Sequence, residues 1–300
     1  MLPREIIAEA WALTKREKSL KRWGFTSSFF ETLLNVKLIA YQLYFLHAYM
    51  VGHEVGFFDD FIWLYDNVPL WASSIITVLF LILLGVEVIF PNLAKGAIIG
   101  LAAKSHKKEK VEGGLVLALY NFFPILGIHE FLVLSSWATT LTLCSVTMRY
   151  IPGDVKFAMV AIVISFFLLS NILKFFFSFA EPAIVIQKAG IFTAMSLSFK
   201  MIVSYLSHSM FLFLLLLIIS IRTMINAVVV LIIPGLIIGL GFLLTFILSP
   251  LISYIIAGIV GLGFIAGASL MFAYLHVFKE TVWAISFMEL RKKKDLDLID

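Results

Sequence analysis

Residues 174–200, KFFFSFAEPAIVIQKAGIFTAMSLSFK, join two hydrophobic halves of the chain and decide how the whole is read. Phe175, Phe176, Phe177 and Phe179 close a membrane-spanning run. Glu181-Pro182 is expected to break that run, because proline removes a backbone donor and restricts the residue before it. After Gly190 a new amphipathic helix is expected, carrying Ala194, Ser196, Ser198 and Lys200. A carboxylate placed where the chain leaves lipid needs water, headgroups or a cationic partner.

On both sides of this junction apolar residues dominate. Hydrophobic residues make up 61% of the 300 and charged residues 14%, against roughly 25% charged in soluble domains. Mean hydropathy is +1.03. These values exclude an ordinary soluble domain and imply an all-α polytopic membrane protein. No polar segment is long enough for a separate domain, so residues 1–300 read as one integral membrane unit. The net charge of +4 is carried by a few short basic clusters, which in such a chain report topology and contact with anionic lipid and give no reason to expect nucleic acid. Cys144 is the only cysteine; it cannot form an internal disulfide and reads as an inert thiol.

Upstream of the junction, residues 1–26 read as an interfacial amphipathic helix, with Ile6, Ile7, Ala10 and Trp11 on one face and basic residues following. The bundle then occupies 29–275. Its first span, 29–51, is the least apolar and carries Glu31, Asn35, Lys37, Gln42 and His47. The loop 53–66 is acidic. A second span, 69–93, holds Glu87 and leads to the basic loop 104–110; a third is expected over 124–149 and a fourth over 156–179. Downstream, a fifth covers 204–221. The stretch 230–250, with Pro234, Gly235, Gly239, Gly241 and Pro250, is expected to be broken or re-entrant. The last span, 251–275, has Gly263 and Gly267 at the GxxxG spacing that lets helices pack closely. Residues 276–300 are expected to form an amphipathic basic tail. Placing 1–26, 104–110 and 291–294 in the cytoplasm requires an even number of crossings. Six is the reading adopted; seven, with the tail outside, is the alternative.

Three features resemble a known family. Trp11-Ala-Leu-Thr followed by Lys21-Arg-Trp-Gly-Phe25, the stretch 95–124, and Glu181-Pro-Ala-Ile-Val-Ile-Gln-Lys-Ala-Gly190 with Ala194-Met-Ser-Leu-Ser198 are similar to YciC-like proteins and to the membrane domain that precedes some glycerophosphodiester phosphodiesterases. The resemblance implies a six-helix domain of a prokaryotic inner membrane and brings no catalytic residue. Gln187-Lys188 stand where the family has an acid before the glycine, and the C-terminal third is longer. With no phosphodiesterase domain attached, that activity does not carry over.

In this topology Lys37, Glu87, Glu130, Lys174, Glu181 and His208 fall at one depth in the inner leaflet. Unpaired charge in lipid costs on the order of 3 kcal/mol or more, so these groups should face inward and pair; Lys37 with Glu87, and Lys174 with Glu130 or Glu181, are the expected pairs. Two readings stand: a polar vestibule for a lipid headgroup or small solute, or structural ion pairs and snorkelling side chains. His53-Glu54 and His129-Glu130 begin like HExxH, but no second histidine follows, so no metal is expected. With no GxSxG and no phosphate loop, neither an enzyme nor a cofactor is expected. The expectation is a non-enzymatic membrane protein with bound lipids, acting as an accessory subunit beside other membrane subunits or copies of itself. The alternative is a small transporter or lipid-handling protein.

Overall fold

The computed structural model describes residues 1–52, 56 and 58–293, and among them every regular element is helical. His53, Glu54 and the tail residues 294–300 lie outside that set. The helices are α1 (Pro3–Arg16), α2 (Lys18–Val51), α3 (Asp59–Asn67), α4 (Leu70–His106), α5 (Gly114–Phe131), α6 (Trp137–Tyr150), α7 (Val155–Phe176), α8 (Ala180–Gln187), α9 (Ile191–Ser204), α10 (Leu206–Leu244) and α11 (Pro250–Arg291). Among the described residues four helices are long and apolar enough to cross a membrane: α4, α5, α7 and α11. The pair formed by α9 and the start of α10, bent by 96°, would make a fifth.

Length explains the architecture. α11 has 42 residues, roughly 60 Å of helix, twice the hydrocarbon thickness of about 30 Å. Its first half exposes Ile255, Ile259, Leu262 and Met271, whereas every residue from Glu280 to Leu290 is buried. α4 shows the same switch. Leu79, Leu81, Ile82 and Ile89 are exposed; beyond Pro91, Gly96 to Ala103 are all buried. The molecule therefore has an apolar end whose side chains need lipid and a core end packed like a soluble protein. The core end gathers α1, α5, α8 and α9 around the last turns of α4 and α11.

Small residues permit that packing. A Cβ at Gly24 of α2 would run into Val277 Cγ2, and one at Gly100 of α4 would meet Leu117 Cδ1 of α5 at 2.8 Å. These positions bring helix backbones close together. At Gly263 and Gly267, where such an approach was expected, nothing among the described residues lies within 4 Å of an added Cβ.

Four further expectations are corrected. Residues 276–291 form no amphipathic tail; they are the buried end of α11. The apolar face of α1 is covered by protein, with Ile6, Ala10 and Leu13 buried and Trp11 edge-on to Phe278 at 5.5 Å. The third span expected over 124–149 is two helices: α5 passes through Pro124 and ends at Phe131, and after a short turn α6 starts again at Trp137. Conversely, 230–244 is unbroken, since α10 continues through Pro234; a proline that loses one backbone bond is tolerated where neighbouring helices support the turn.

The junction itself folds differently in detail. α7 ends at Phe176, ahead of Glu181-Pro182, and Pro182 sits in the first turn of α8. There its missing N–H costs nothing, because first-turn N–H groups have no partner within the helix. Ser198 of α9 stitches the break. It accepts from the Phe179 N–H at 3.0 Å and donates to the Phe176 carbonyl at 2.8 Å. Gly190 precedes α9 as expected.

Both ends of the described chain meet at the core end. His106, closing α4, contacts Glu9 of α1 at 2.7 Å and Glu289 of α11 at 3.3 Å. From there α2, α6 and α10 run outward and α4, α7 and α11 return. Far contacts fix the opposite end: the Arg149 guanidinium lies 4.0 Å from the centre of the Phe45 ring, and Gly241 abuts Tyr254.

Candidate functional site

Between the two ends lies a cavity of about 660 Å³. Four of the surrounding helices contribute several polar groups each. α2 presents Glu31 and Asn35, one turn apart. α4 presents Glu87, Asn92 and Lys95, α7 presents Asn171, Lys174 and the following Ser178, and α11 presents His276, Lys279 and Glu280. Glu181 enters from α8 and His129 from the last turn of α5. Residues at i, i+3 and i+4 share a helix face, so α2 and α11 each turn one polar stripe inward, as α7 does with Asn171 and Lys174, while α10 lines the cavity with Phe213, Leu216 and Leu217.

Two ion pairs order this ring. Lys95 Nζ donates to Glu181 Oε1 at 2.9 Å, with both side chains less than a fifth exposed. Lys37 Nζ contacts Glu87 Oε2 at 2.5 Å, with the Glu87 side chain fully buried and the lysine 5.3 Å from the Phe80 ring centre. The geometry of that second contact is off-line for a hydrogen bond, leaving charge as the attraction; Glu87 Oε1 has no hydrogen-bond partner among the described residues. Lys174 donates to Ser135 Oγ at 3.2 Å, while Glu31, Lys279 and Glu280 form no ion pair among the described residues.

Of the six residues singled out from sequence, Glu87, Lys174 and Glu181 line the cavity, and Lys37 is joined to it through Glu87. The expected Lys37–Glu87 pair is present. Glu181 takes Lys95 as its partner in place of Lys174. Glu130 points away and contacts His129 at 3.4 Å on the exposed side of α5. His208 lies elsewhere, at the elbow between α9 and α10, in a shallow hollow of about 460 Å³ with Pro3 and Tyr205. Sequence reasoning misses Lys95, Glu31, His129, His276, Lys279 and Glu280 as members of the site. The signal that would find three of them is the 276, 279, 280 spacing, on a helix that reads as a surface tail.

Among the described residues no three metal-ligating side chains come together. The cavity offers ammonium groups, carboxylates, imidazoles and amides around one volume, an arrangement suited to holding a small charged group. Comparisons with family models, with curated proteins and with solved structures find no match.

Proposed function

We propose that the chain is an integral membrane protein that admits the polar headgroup of an amphiphile into the charged cavity, and so acts in lipid handling or transport. The observation that carries this reading is a polar interior framed by apolar residues. Val88, Trp137 and Leu217 line the cavity and remain 41%, 40% and 45% exposed. Such a rim favours entry from the bilayer by a molecule with a charged head and a hydrocarbon tail.

Six crossings, by α2, α4, α6, α7, α10 and α11, are the topology this reading uses; α5, although apolar enough to cross, is counted with the core end, where Ala118, Ile125 and Ile128 are buried. The meeting of α1, His106 and Glu289 at one end supports an even number. The positive-inside rule then puts the core end, with Lys104, Lys107, Lys108 and Lys110, in the cytoplasm and Asp59 and Asp66 outside. α6, with 14 residues, is short for a crossing, and is counted as one because Arg149 at its end meets Phe45 near the outer end of α2. The resemblance to six-helix YciC-like membrane domains fits the same count.

The test is to release the protein gently from lipid nanodiscs into a mass spectrometer and record what accompanies it. One bound lipid per chain, lost on Lys174→Met at unchanged thermal stability, is the expected result. A chain that retains no lipid, or that retains it equally after Lys174→Met, overturns the reading. Stoichiometric recovery of another polypeptide with no lipid points to the accessory-subunit function.

A further inference from the structure

The charge balance of the cavity specifies more than a generic headgroup, provided that the lipid-handling reading holds. Lys95 is satisfied by Glu181, and Lys37 by Glu87. What remains around the cavity is Lys174 and Lys279, against Glu31 and Glu280, without ion pairs among themselves. Glu280 is only 4% exposed. His276 lies one turn before Lys279 and Glu280, and its Nε2 is buried with no hydrogen-bond partner among the described residues. These groups are close enough to interact: Lys174 feels Lys279 and Glu31, and His276 feels Glu280, Glu31 and Lys279.

A cavity prepared for an anion would leave lysines in excess, and one prepared for a cation would leave carboxylates. Here two of each remain: Glu31 on α2, Lys174 on α7, and Lys279 with Glu280 on α11. We propose that the cavity binds a zwitterionic phosphate–amine group, with the phosphate oxygens on Lys174 and Lys279, the ammonium on Glu31 and Glu280, and His276 Nε2 meeting either the phosphate or the amine. Lysine is a point-charge ligand for phosphate, and a primary ammonium supplies three donors for two carboxylates. The chemistry is that of phosphoethanolamine, borne by a membrane phospholipid or by the free glycerol phosphodiester.

The experiment uses the full chain in nanodiscs holding equal amounts of phosphatidylethanolamine and phosphatidylglycerol, with retained lipid read by native mass spectrometry. The expected result is an enrichment of the ethanolamine lipid of about fivefold or more, the ratio one partly screened charge contact supplies. Glu31→Gln, a substitution on the accessible side of the cavity, abolishes that preference; Lys174→Gln lowers retention of both lipids. Equal retention by the unaltered chain, a preference for phosphatidylglycerol, or a preference that survives Glu31→Gln overturns the zwitterion assignment while leaving lipid binding intact. Retention of no lipid removes the lipid-handling reading. In a parallel arm without lipid, glycerophosphoethanolamine is titrated against the detergent-solubilised chain: binding there, weakened by Glu31→Gln, assigns the same chemistry to a soluble ligand, whereas binding confined to the nanodisc arm assigns it to the phospholipid.

Discussion

Lys95 of α4 and Glu181 of α8, 86 residues apart, share a hydrogen bond of 2.9 Å at the point where the membrane-crossing part of the molecule meets its packed end. Burial alone pushes the Glu181 carboxyl up, but Lys95 beside it, with Lys279 and His129, holds it below the usual carboxylate range. A carboxylate with a folded value below its unfolded value, about 4.3 for glutamate, stabilises the fold above that unfolded value and loses the contribution as pH falls through the folded one. Glu181→Gln is therefore expected to cost about 3 kcal/mol at neutral pH, because it leaves the Lys95 ammonium buried without its hydrogen-bonded carboxylate. The gap between the two proteins should stay constant down to about pH 5 and close in more acidic solution. Thermal unfolding in detergent as a function of pH checks this; a gap that widens on acidification refutes it.

The Lys37–Glu87 pair makes a sharper case, since the Glu87 side chain is fully buried. Lys37→Leu leaves a carboxylate with no partner and should cost about 3 kcal/mol. Combining Lys37→Leu with Glu87→Leu removes both charges and should recover most of the loss, because two leucines pack where an ion pair had to be desolvated. A double-mutant cycle on thermal stability measures the coupling. If the double variant also keeps its bound lipid, the pair is structural and the ligand lies on the Lys174 side of the cavity.

Glycine positions offer a contrast in one helix-packing experiment. Gly24→Val drives a branched side chain into Val277 and the Ala273 carbonyl, and overpacking of this kind costs about 2 kcal/mol. Gly263→Ala, with nothing within 4 Å of the added methyl group, should stabilise the exposed helix by about 0.5 kcal/mol. Equal effects at the two positions would mean that α2 and α11 are not in the contact described.

The helical class and the Lys37–Glu87 pair are legible in the sequence because they follow from composition and from the cost of charge in lipid, whereas most of the charged groups around the cavity are not. Where helices end is legible only in part. Pro124 and Pro234 read as boundaries and both sit inside helices, because the lost backbone bond is compensated by neighbouring helices that one-dimensional reading does not contain. Residues 280–290, ETVWAISFMEL, are buried on every side although the basic residues that follow them suggest a surface tail. Hydropathy cannot separate a helix wrapped by lipid from one wrapped by α1, α2 and α4. Closing the second span at residue 93 puts Lys95 in a connection; the helix runs on to His106, and that extra length carries the lysine to Glu181.

Sidedness gives the last prediction. With six crossings, the segment after α4 and the end of α11 face one compartment and the α6–α7 turn faces the other. Replacing Cys144 with alanine, on an α6 surface of intermediate exposure, removes the only native thiol. Single cysteines are then introduced as Lys108→Cys, Lys292→Cys or Asp154→Cys, all at exposed positions. In intact cells a membrane-impermeant maleimide should label the Asp154→Cys protein and spare the other two until the membrane is opened. His106 and Glu289 touch at 3.3 Å, so Lys108→Cys and Lys292→Cys must behave alike whichever way the molecule is inserted. Labelling of one and protection of the other would separate the two ends that the fold brings together, and would leave the cavity without the enclosing wall that α4 and α11 build.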